Sequence, residues 1–434
     1  MTISKGLHPT DNSAIEPNSF RLDVVMESAS GKERDISSLV QTFTVYESIF
    51  QQPLIAELDI ADGLSLFEDM NISGNEKIST VVRKQNTKDE PIRDIQNDWY
   101  VLDIPLYGKP KPDLATYKIR CISPLGLVAK FRKISTSLSG SSAEILQELY
   151  RQVGAELEML DDQTLGAMKF ICPKLTYADA IAFILKKSMA ANGAPMFTYQ
   201  RFDDSKYVLN SYNNMITSEV LDTYWQGTFY SHEEQTDESF EEKRLRILEA
   251  SSNLGFSPFK SVKGGSYVTR THRLDLSNKV YETIDYNAFE DEPILIDGSE
   301  SDLVWDRDFS ISGVSPLDLK ESYNIFINQN NLAMVDDDHV NVHGFGSYKM
   351  AYKHSVYSNL EQIEHTLKLN GDTRLMPGTV IEILFPKSGQ VDGAGRESDE
   401  MLSGRYLIVS STHQFDQTGY YTRLKIRRDS VHKR

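Results

Sequence analysis

The chain has 434 residues, 40% hydrophobic and 25% charged, which is the balance of a folding globular protein rather than a disordered one, and at about 150 residues per domain it calls for roughly three domains. Its 63 acidic against 46 basic side chains leave a formal net charge of −17, which argues against a protein that grips nucleic acid, because phosphate binding needs clustered Lys and Arg. No apolar run nears the roughly 20 residues of a membrane span, since the longest, Ala180 to Leu185, is ended by Lys186 and Lys187.

Met1 to Asn18 lacks the basic start and apolar stretch of a secretory signal. The two cysteines, Cys121 and Cys172, have no metal-site or dyad spacing and read as buried small hydrophobes of a protein made in a reducing cytoplasm. The first structured segment is β: Leu22, Val24 and Met26 alternate with polar residues, Leu39 to Phe50 supplies another strand, and Leu54, Ala56, Leu58 and Ile60 alternate after Pro53. A hairpin from Trp99 to Ser123 completes a first β domain over residues 20–124.

The period then changes. Ser141-Ser142-Ala143-Glu144 is a capping box, followed by Ile145, Leu149 and Val153 at helical spacing up to Gly154. Thr176 starts a second helix with Ile181, Leu185 and Met189 on one side, ended by Asn192-Gly193, and a hairpin from Met196 to Tyr212 turns at Asp203-Asp204-Ser205. Together these predict an α/β insertion over 125–215. Trp225 to Tyr230 reads as a strand and Glu233 to Ala250 as a charged helix with Phe240, Leu245 and Leu248 as its sparse apolar positions. Residues 246–360 have poor periodicity and form a second insertion. The second β domain is then discontinuous, 216–245 and 361–430, re-entered through Asn370-Gly371 and Met376-Pro377-Gly378. Gly389 to Ser403 reads as a mobile loop. The fold class that follows is α+β, predominantly β, with two antiparallel β-barrel or sandwich domains carrying α/β insertions.

One hairpin is written twice. Trp99-Tyr100-Val101-Leu102 with Thr116-Tyr117-Lys118-Ile119-Arg120 returns as Arg405-Tyr406-Leu407-Ile408 with Arg423-Leu424-Lys425-Ile426-Arg427, each after a glycine and a strand, at Gly74 and at Gly378. The repeat residues are Tyr100, Lys118, Ile119, Arg120, Tyr406, Lys425, Ile426 and Arg427, and a duplicated β unit loaded with insertions explains them. The basic run Arg423, Lys425, Arg427 and Arg428 has strand spacing and reads as an exposed face.

Chemistry is sparse. His339 and His343, preceded by Asp336 to Asp338 and followed by His354 and His365, are the best metal candidates, but Val340 stands where a zinc protease needs its glutamate. Gly344-Phe345-Gly346 lacks a third glycine and reads as a turn, and neither a nucleophile elbow nor a phosphate loop occurs. Trp99, Trp225 and Trp305 are too scattered for a stacking platform and read as packing residues. No catalytic residue and no cofactor is expected, with a metal-dependent hydrolase built on Asp336 to His343 as the alternative.

The order of β domain, α/β insert and interrupted β domain resembles the central baseplate hub protein of contractile-tailed phages, and the hub part of type VI secretion spike proteins. The segments that carry the resemblance are Ser38 to Phe50, Ala56 to Asp62, and Gly404 to Val409 with its closing strand. The resemblance implies two tail-tube-like domains per chain and a homotrimer that joins the six-fold tail tube above to the three-fold spike below, among other baseplate proteins. It implies a non-enzymatic virion protein of the tail baseplate, assembled in the host cytoplasm, through which DNA passes without specific binding, and the charge of −17 fits an acidic lumen that repels it. The hub of a non-phage contractile injection system is the other reading, and the lack of a fused spike after Arg434 favours the phage.

Overall fold

The computed structural model describes residues 16–227, 239–257, 261, 264–275, 279–291, 293–298, 301–304, 310, 312–315, 324–328, 342–388 and 397–432. The described residues are mostly β, 49% strand and 17% helix. Its centre is a sheet of 13 strands: β1 (Arg21–Glu27), β2 (Glu33–Asp35), β3 (Val40–Ser48), β4 (Gln51–Asp62), β5 (Lys77–Lys84), β6 (Arg93–Lys111), β7 (Leu114–Ile122), β8 (Val220–Gln226), β9 (Arg246–Leu254), β10 (Ile363–Asn370), β11 (Val380–Leu384), β12 (Gly404–Asp416) and β13 (Gly419–Arg428). The spatial order is β2-β1-β5-β6-β7-β4-β3-β12-β11-β8-β9-β10-β13, and β13 returns to pair with β12, so the last six strands close a barrel.

Strict alternation builds the first half. Along β4, Leu54, Ala56, Leu58 and Ile60 point into a core with Phe43, Val45, Ile78, Trp99 and Ile119, while Ile55, Glu57 and Asp59 point the other way. Each fully buried aliphatic side chain contributes about 1.5–3 kcal/mol of transfer free energy. The barrel has its own core of Tyr224, Ile247, Ile363, Leu367, Leu369, Ile381, Tyr406, Leu424 and Ile426.

Both halves run through the same sequence of pairings. In the first the order is β1-β5-β6-β7-β4-β3 and in the second β8-β11-β12-β13-β10-β9. β5-β6-β7 and β11-β12-β13 are both antiparallel meanders, and β4 and β10 lie antiparallel to the last strand of each. They differ in that β1 is antiparallel to β5 but β8 is parallel to β11, and in that β8 also pairs with β9.

Between the halves, the helix Ser142–Val153 starts at Ser141 with both bonds of a capping box and ends at Gly154 in the left-handed conformation, φ 91°. The helix Tyr177–Lys187 stops at Ser188, short of Asn192-Gly193, because Met189 and Ala190 pair instead with Pro195 and Thr164 as isolated bridges. A single apolar cluster holds Leu146, Leu149, Ile181 and Tyr212 together with Ala351, Val356 and Leu360 from the helix Val342–Leu360. Lys353 on that helix donates to the carbonyls of Leu185, Lys186 and Ser188 at 3.3, 2.9 and 2.8 Å, closing the C-terminal end of its neighbour.

Two further expectations are corrected. Of the described part of Glu233 to Ala250, residues 239–250, only Phe240–Leu245 is helical, and β9 takes over at Arg246, because Ile247 fills the barrel core and pairs with Leu369. A charge-rich stretch with few apolar positions carries no period of its own, so the barrel decides it. Gly344-Phe345-Gly346 is not a turn but part of the helix Val342–Leu360, whose later residues are buried against the insertion core.

Candidate assembly surface

The feature that organises the molecule is the joint between its two β halves. β12 is longer than its neighbour β11: Gly404 to Leu407 pair with β11, and Ser410 to Asp416 project past it and pair antiparallel with Ser48 to Thr42 of β3. Val409 is the bulged residue between, and its carbonyl accepts from Ile49 N–H at 3.1 Å. One chain therefore carries an unbroken sheet across both halves.

A buried polar cluster locks this joint. On β3 the inward series Phe43, Val45 continues with Glu47, whose Oε1 accepts from Phe202 N–H at 2.5 Å. The Phe202 ring stacks on His413 of β12 at 5.2 Å, and His413 Nδ1 lies 2.7 Å from the Tyr420 hydroxyl on β13. Asp203, next in the insertion hairpin, is pushed up to about 6 by burial and by the Asp204 carboxylate. The first half, the insertion and the barrel thus meet around Glu47, Phe202 and His413.

A second anchor fastens the middle segments to the end of β13. Asp429 accepts from the Tyr212 hydroxyl at 2.7 Å and from Ile296 N–H at 3.2 Å, and burial raises its carboxyl. The neighbouring Arg428, with no exposed surface, pairs with Asp297 at 2.5 Å and donates to Ser403 O at 2.8 Å.

On the face of the sheet away from the cores the cations are matched by carboxylates. Glu57 takes Lys118 and Arg120, each at 3.2 Å, Lys118 also meets Asp59, and Arg120 also meets Asp103. In the barrel Glu364 takes Arg427 at 2.8 Å and Glu249 takes Lys368 at 3.0 Å, while Arg423 and Lys425 are exposed.

Among the repeat residues, Lys118, Arg120, Lys425 and Arg427 lie on this polar face, Ile119 and Ile426 lie in the two cores, Tyr100 is half-buried opposite Lys77, and Tyr406 is buried with its hydroxyl donating to Leu402 O at 2.7 Å. Asp336 to His339 lie outside the described residues, as does the side chain of His343. His365 is on β10 inside the barrel, 2.7 Å from Ser252 Oγ and 3.1 Å from the Tyr406 hydroxyl, and burial with the nearby Arg428 charge lowers it to about 4. His354 is on the helix Val342–Leu360, likewise lowered by burial. Among the described residues no group of three or more His, Cys, Asp or Glu side chains is placed to hold a metal ion. Cys121 and Cys172 are buried, and burial pushes the Cys121 thiol up. Trp99 is fully buried, donating to Thr80 Oγ1 at 2.9 Å, Trp225 is half-buried, and Trp305 lies outside the described residues.

Sequence reading passed over Glu47 and His413. Their signal was parity: each sits on the inward side of an alternating strand, where a charged or polar residue needs a partner from elsewhere.

No protein-family model matches this sequence, and no curated protein matches it. Solved structures do share its fold. The chain is similar to the tail protein from Neisseria meningitidis MC58, at 12% identity and a TM-score of 0.53, covering 94% of this chain and 97% of that one. It is similar in the same way to the 43 kDa tail protein of prophage MuSo2 from Shewanella oneidensis, at 9% identity and a TM-score of 0.54, covering 94% and 98%. A component of the type VI secretion system of E. coli also matches, at 10% identity and a TM-score of 0.44 over 91% of this chain and 74% of that one. The predominantly β fold is thus shared with the Neisseria tail protein and the prophage MuSo2 tail protein, and the likeness runs over nearly the whole chain.

Proposed function

We propose that this chain is the central hub of a contractile-tail baseplate, a non-enzymatic homotrimer that adapts the six-fold tail tube to a three-fold spike. The observation that supports it best is the strand pairing between β3 and β12, by which two β units of the same strand order form one wall within one chain. Three such chains offer six wall segments to a tube above and three equal faces to a spike below, and cyclic symmetry closes the ring. The insertions, held to the wall through Phe202, Asp429 and Arg428, brace it from outside. Tail and prophage origin of the similar structures supports a virion tail location, with tube, spike and surrounding baseplate proteins as partners.

DNA in transit is compatible with this wall. With its polar face toward the bore, Lys118, Arg120, Lys368 and Arg427 are each held by a carboxylate, so apart from the exposed Arg423 and Lys425 the phosphates meet a neutralised surface and slide. The charge of −17 need not line the bore for this to hold.

Imaging of the purified protein, together with light scattering, tests the reading. A three-lobed ring with a central hole and the mass of a trimer is expected; a strictly monomeric protein at high concentration with no affinity for a spike chain counts decisively against it.

A further inference from the structure

The insertion between the two β halves carries the most exposed large apolar side chain among the described residues, and it stands in a run of cations. Lys130, Phe131, Arg132 and Lys133 are consecutive and all exposed, with Phe131 at 74%. Phe131 ends the helix Pro124–Phe131, whose buried residues are Gly126 and Ala129, so its ring takes no part in the face that packs.

The backbone beside the ring is fixed on the insertion. Arg132 N–H closes the helix on Val128 O at 2.9 Å, and Arg132 O accepts from the N–H of Tyr177, first residue of the helix Tyr177–Lys187, at 3.1 Å. Lys133 and Ile134 then pair with Thr176 and Leu175. The Arg132 guanidinium lies 5.6 Å over the Tyr177 ring and donates to Gln152 O at 3.0 Å. A ring held out in water on a rigid backbone loses little further freedom when it is buried, which is what an anchor requires.

The same ribbon carries a second exposed apolar group. Cys172 N–H donates to Thr136 O at 2.9 Å, which sets the connector from Ile171 to Lys174 beside Thr136 and Ser137. In that connector Ile171 is 53% exposed, and Lys174 is exposed as well. Ser135, Thr136, Ser137 and Pro173 fill the surface between with exposed, uncharged groups. Among the described residues Lys130, Lys133 and Lys174 make no ion pair, unlike Lys118 and Arg120 on the sheet face. Asp179, in the first turn of the helix Tyr177–Lys187, accepts from the Thr176 hydroxyl at 2.6 Å. The ribbon is therefore basic in a chain of net charge −17, and because the insertion nearly balances its acidic and basic side chains, the acidic excess lies elsewhere.

Exposed apolar side chains set among cations fit a partner that is anionic at its surface and apolar beneath. Phe131 and Ile171 can enter the boundary of a lipid layer while Lys130, Arg132, Lys133 and Lys174 keep their charged ends among the headgroups. Single-stranded nucleic acid fits less well. Phe131 has no second ring beside it among the described residues to continue a stack, and Tyr177 is buried and already covered by Arg132.

We infer that this face of the insertion is a peripheral membrane contact that selects anionic lipid, seated by Phe131 and held by the cations around it. It lies on the bilayer and does not span it. The acidic remainder of the chain does not prevent the contact, because at 0.1 M salt charges farther than a Debye length of about 10 Å are largely screened, whereas the cations of the ribbon touch the headgroups. The inference goes beyond the hub reading and does not depend on it.

Flotation of the full-length protein with lipid vesicles tests it. Wild type is expected to float with vesicles of phosphatidylcholine and phosphatidylglycerol, and to remain in the dense layer with phosphatidylcholine alone. Phe131→Ser is expected to weaken binding by about tenfold or more, through the loss of one buried aromatic side chain. The double variant Lys130→Gln with Lys133→Gln is expected to do the same through two lost headgroup contacts. These side chains are exposed, so the melting of both variants should match wild type. Leu106→Ser, which removes a 62% exposed apolar side chain from the β6–β7 hairpin, is expected to leave binding unchanged. Phe131→Trp supplies a depth probe, with a blue shift of emission expected on adding the phosphatidylglycerol vesicles beyond any change in wild type. Wild type that does not float with those vesicles, or floats equally well after Phe131→Ser or the double lysine substitution, overturns the inference. So does a protein that binds single-stranded DNA or polyglutamate through these residues and leaves the vesicles alone. The trimer expected of a hub is read separately by light scattering, so each reading can fail without the other.

Discussion

Oε2 of Glu47 lies 3.9 Å from Nε2 of His413, and both side chains are wholly buried where the first β half meets the barrel. Neither of these two atoms has a hydrogen-bond partner among the described residues, although the other polar atom of each side chain is satisfied. Such a pair is costly to leave half-made, and it ties together strands from opposite ends of the sequence.

Removing the carboxylate strands the Phe202 amide in the core. Glu47→Ala is expected to cost about 1–3 kcal/mol, the penalty of a buried unsatisfied donor, with a further loss for the cavity. Urea denaturation of wild type and variant measures it. Glu47→Gln, which keeps an acceptor for that N–H, is expected to recover part of the loss, and equal losses for Ala and Gln would show that the bond to Phe202 is not what matters.

Asp203 gives an acid-side gain. Its carboxyl titrates near 6 in the folded protein against 3.8 unfolded, so the folded state holds the proton more tightly. The stabilisation is full below the unfolded value and is lost as pH rises through about 6. Allowing for its partial exposure to solvent, the effect is on the order of 1–2 kcal/mol. Asp203→Asn should therefore be more stable than wild type at pH 7 and level with it near pH 4 in thermal melts.

His365 acts in the opposite direction. Burial and the Arg428 charge hold it at about 4 against 6.5 unfolded, so its contribution is complete above the unfolded value and is lost as pH falls through about 4. Wild type should lose a few kcal/mol between pH 7 and pH 4 that His365→Gln does not lose, and a parallel pH profile for the two proteins would show that this ring is not responsible.

Gly404 must remain glycine. Its φ of 134° is in the region L residues avoid, and a Cβ there meets Arg428 Nη1 at 2.8 Å. Gly404→Ala is expected to displace Arg428 from Asp297 and Ser403, costing about 3 kcal/mol or more for a disrupted buried ion pair. Chemical denaturation of the variant measures the loss, and hydrogen exchange should show it concentrated around Ser403 and Asp297.

How far the strands could be read depended on whether each segment carried its own period. β1, β3 from Phe43, β4 from Leu54 and β13 from Tyr420 alternate buried and less buried positions, and the helix after Ser141 announces both ends with a capping box and Gly154. β9 could not be read this way, because of its residues only Ile247 is buried; its conformation is set by β10. The helix Val342–Leu360 was equally hidden, since its side chains face a core assembled from distant parts of the chain.

The candidate surface was half visible. The repeated hairpin pointed to two related units and placed Lys118, Arg120, Lys425 and Arg427 on a polar face, because strand periodicity is local. That β3, paired with β4 on one edge, would pair with β12 on the other was not legible, nor that Glu47, Phe202 and His413 would meet there. Those contacts join positions some 155 and more residues apart, and no local pattern encodes which edge finds which.

By itself, then, the sequence determined the period of those elements that alternate or carry caps of their own, and the absence of familiar catalytic signatures, since both are properties of neighbouring residues. Only the tertiary structure decided that the two β units share one wall, with β3 covering the overhang of β12. The physical reason is that backbone edges are alike in every strand: which two pair is settled by length, bulge and what lies beside them once the chain has folded.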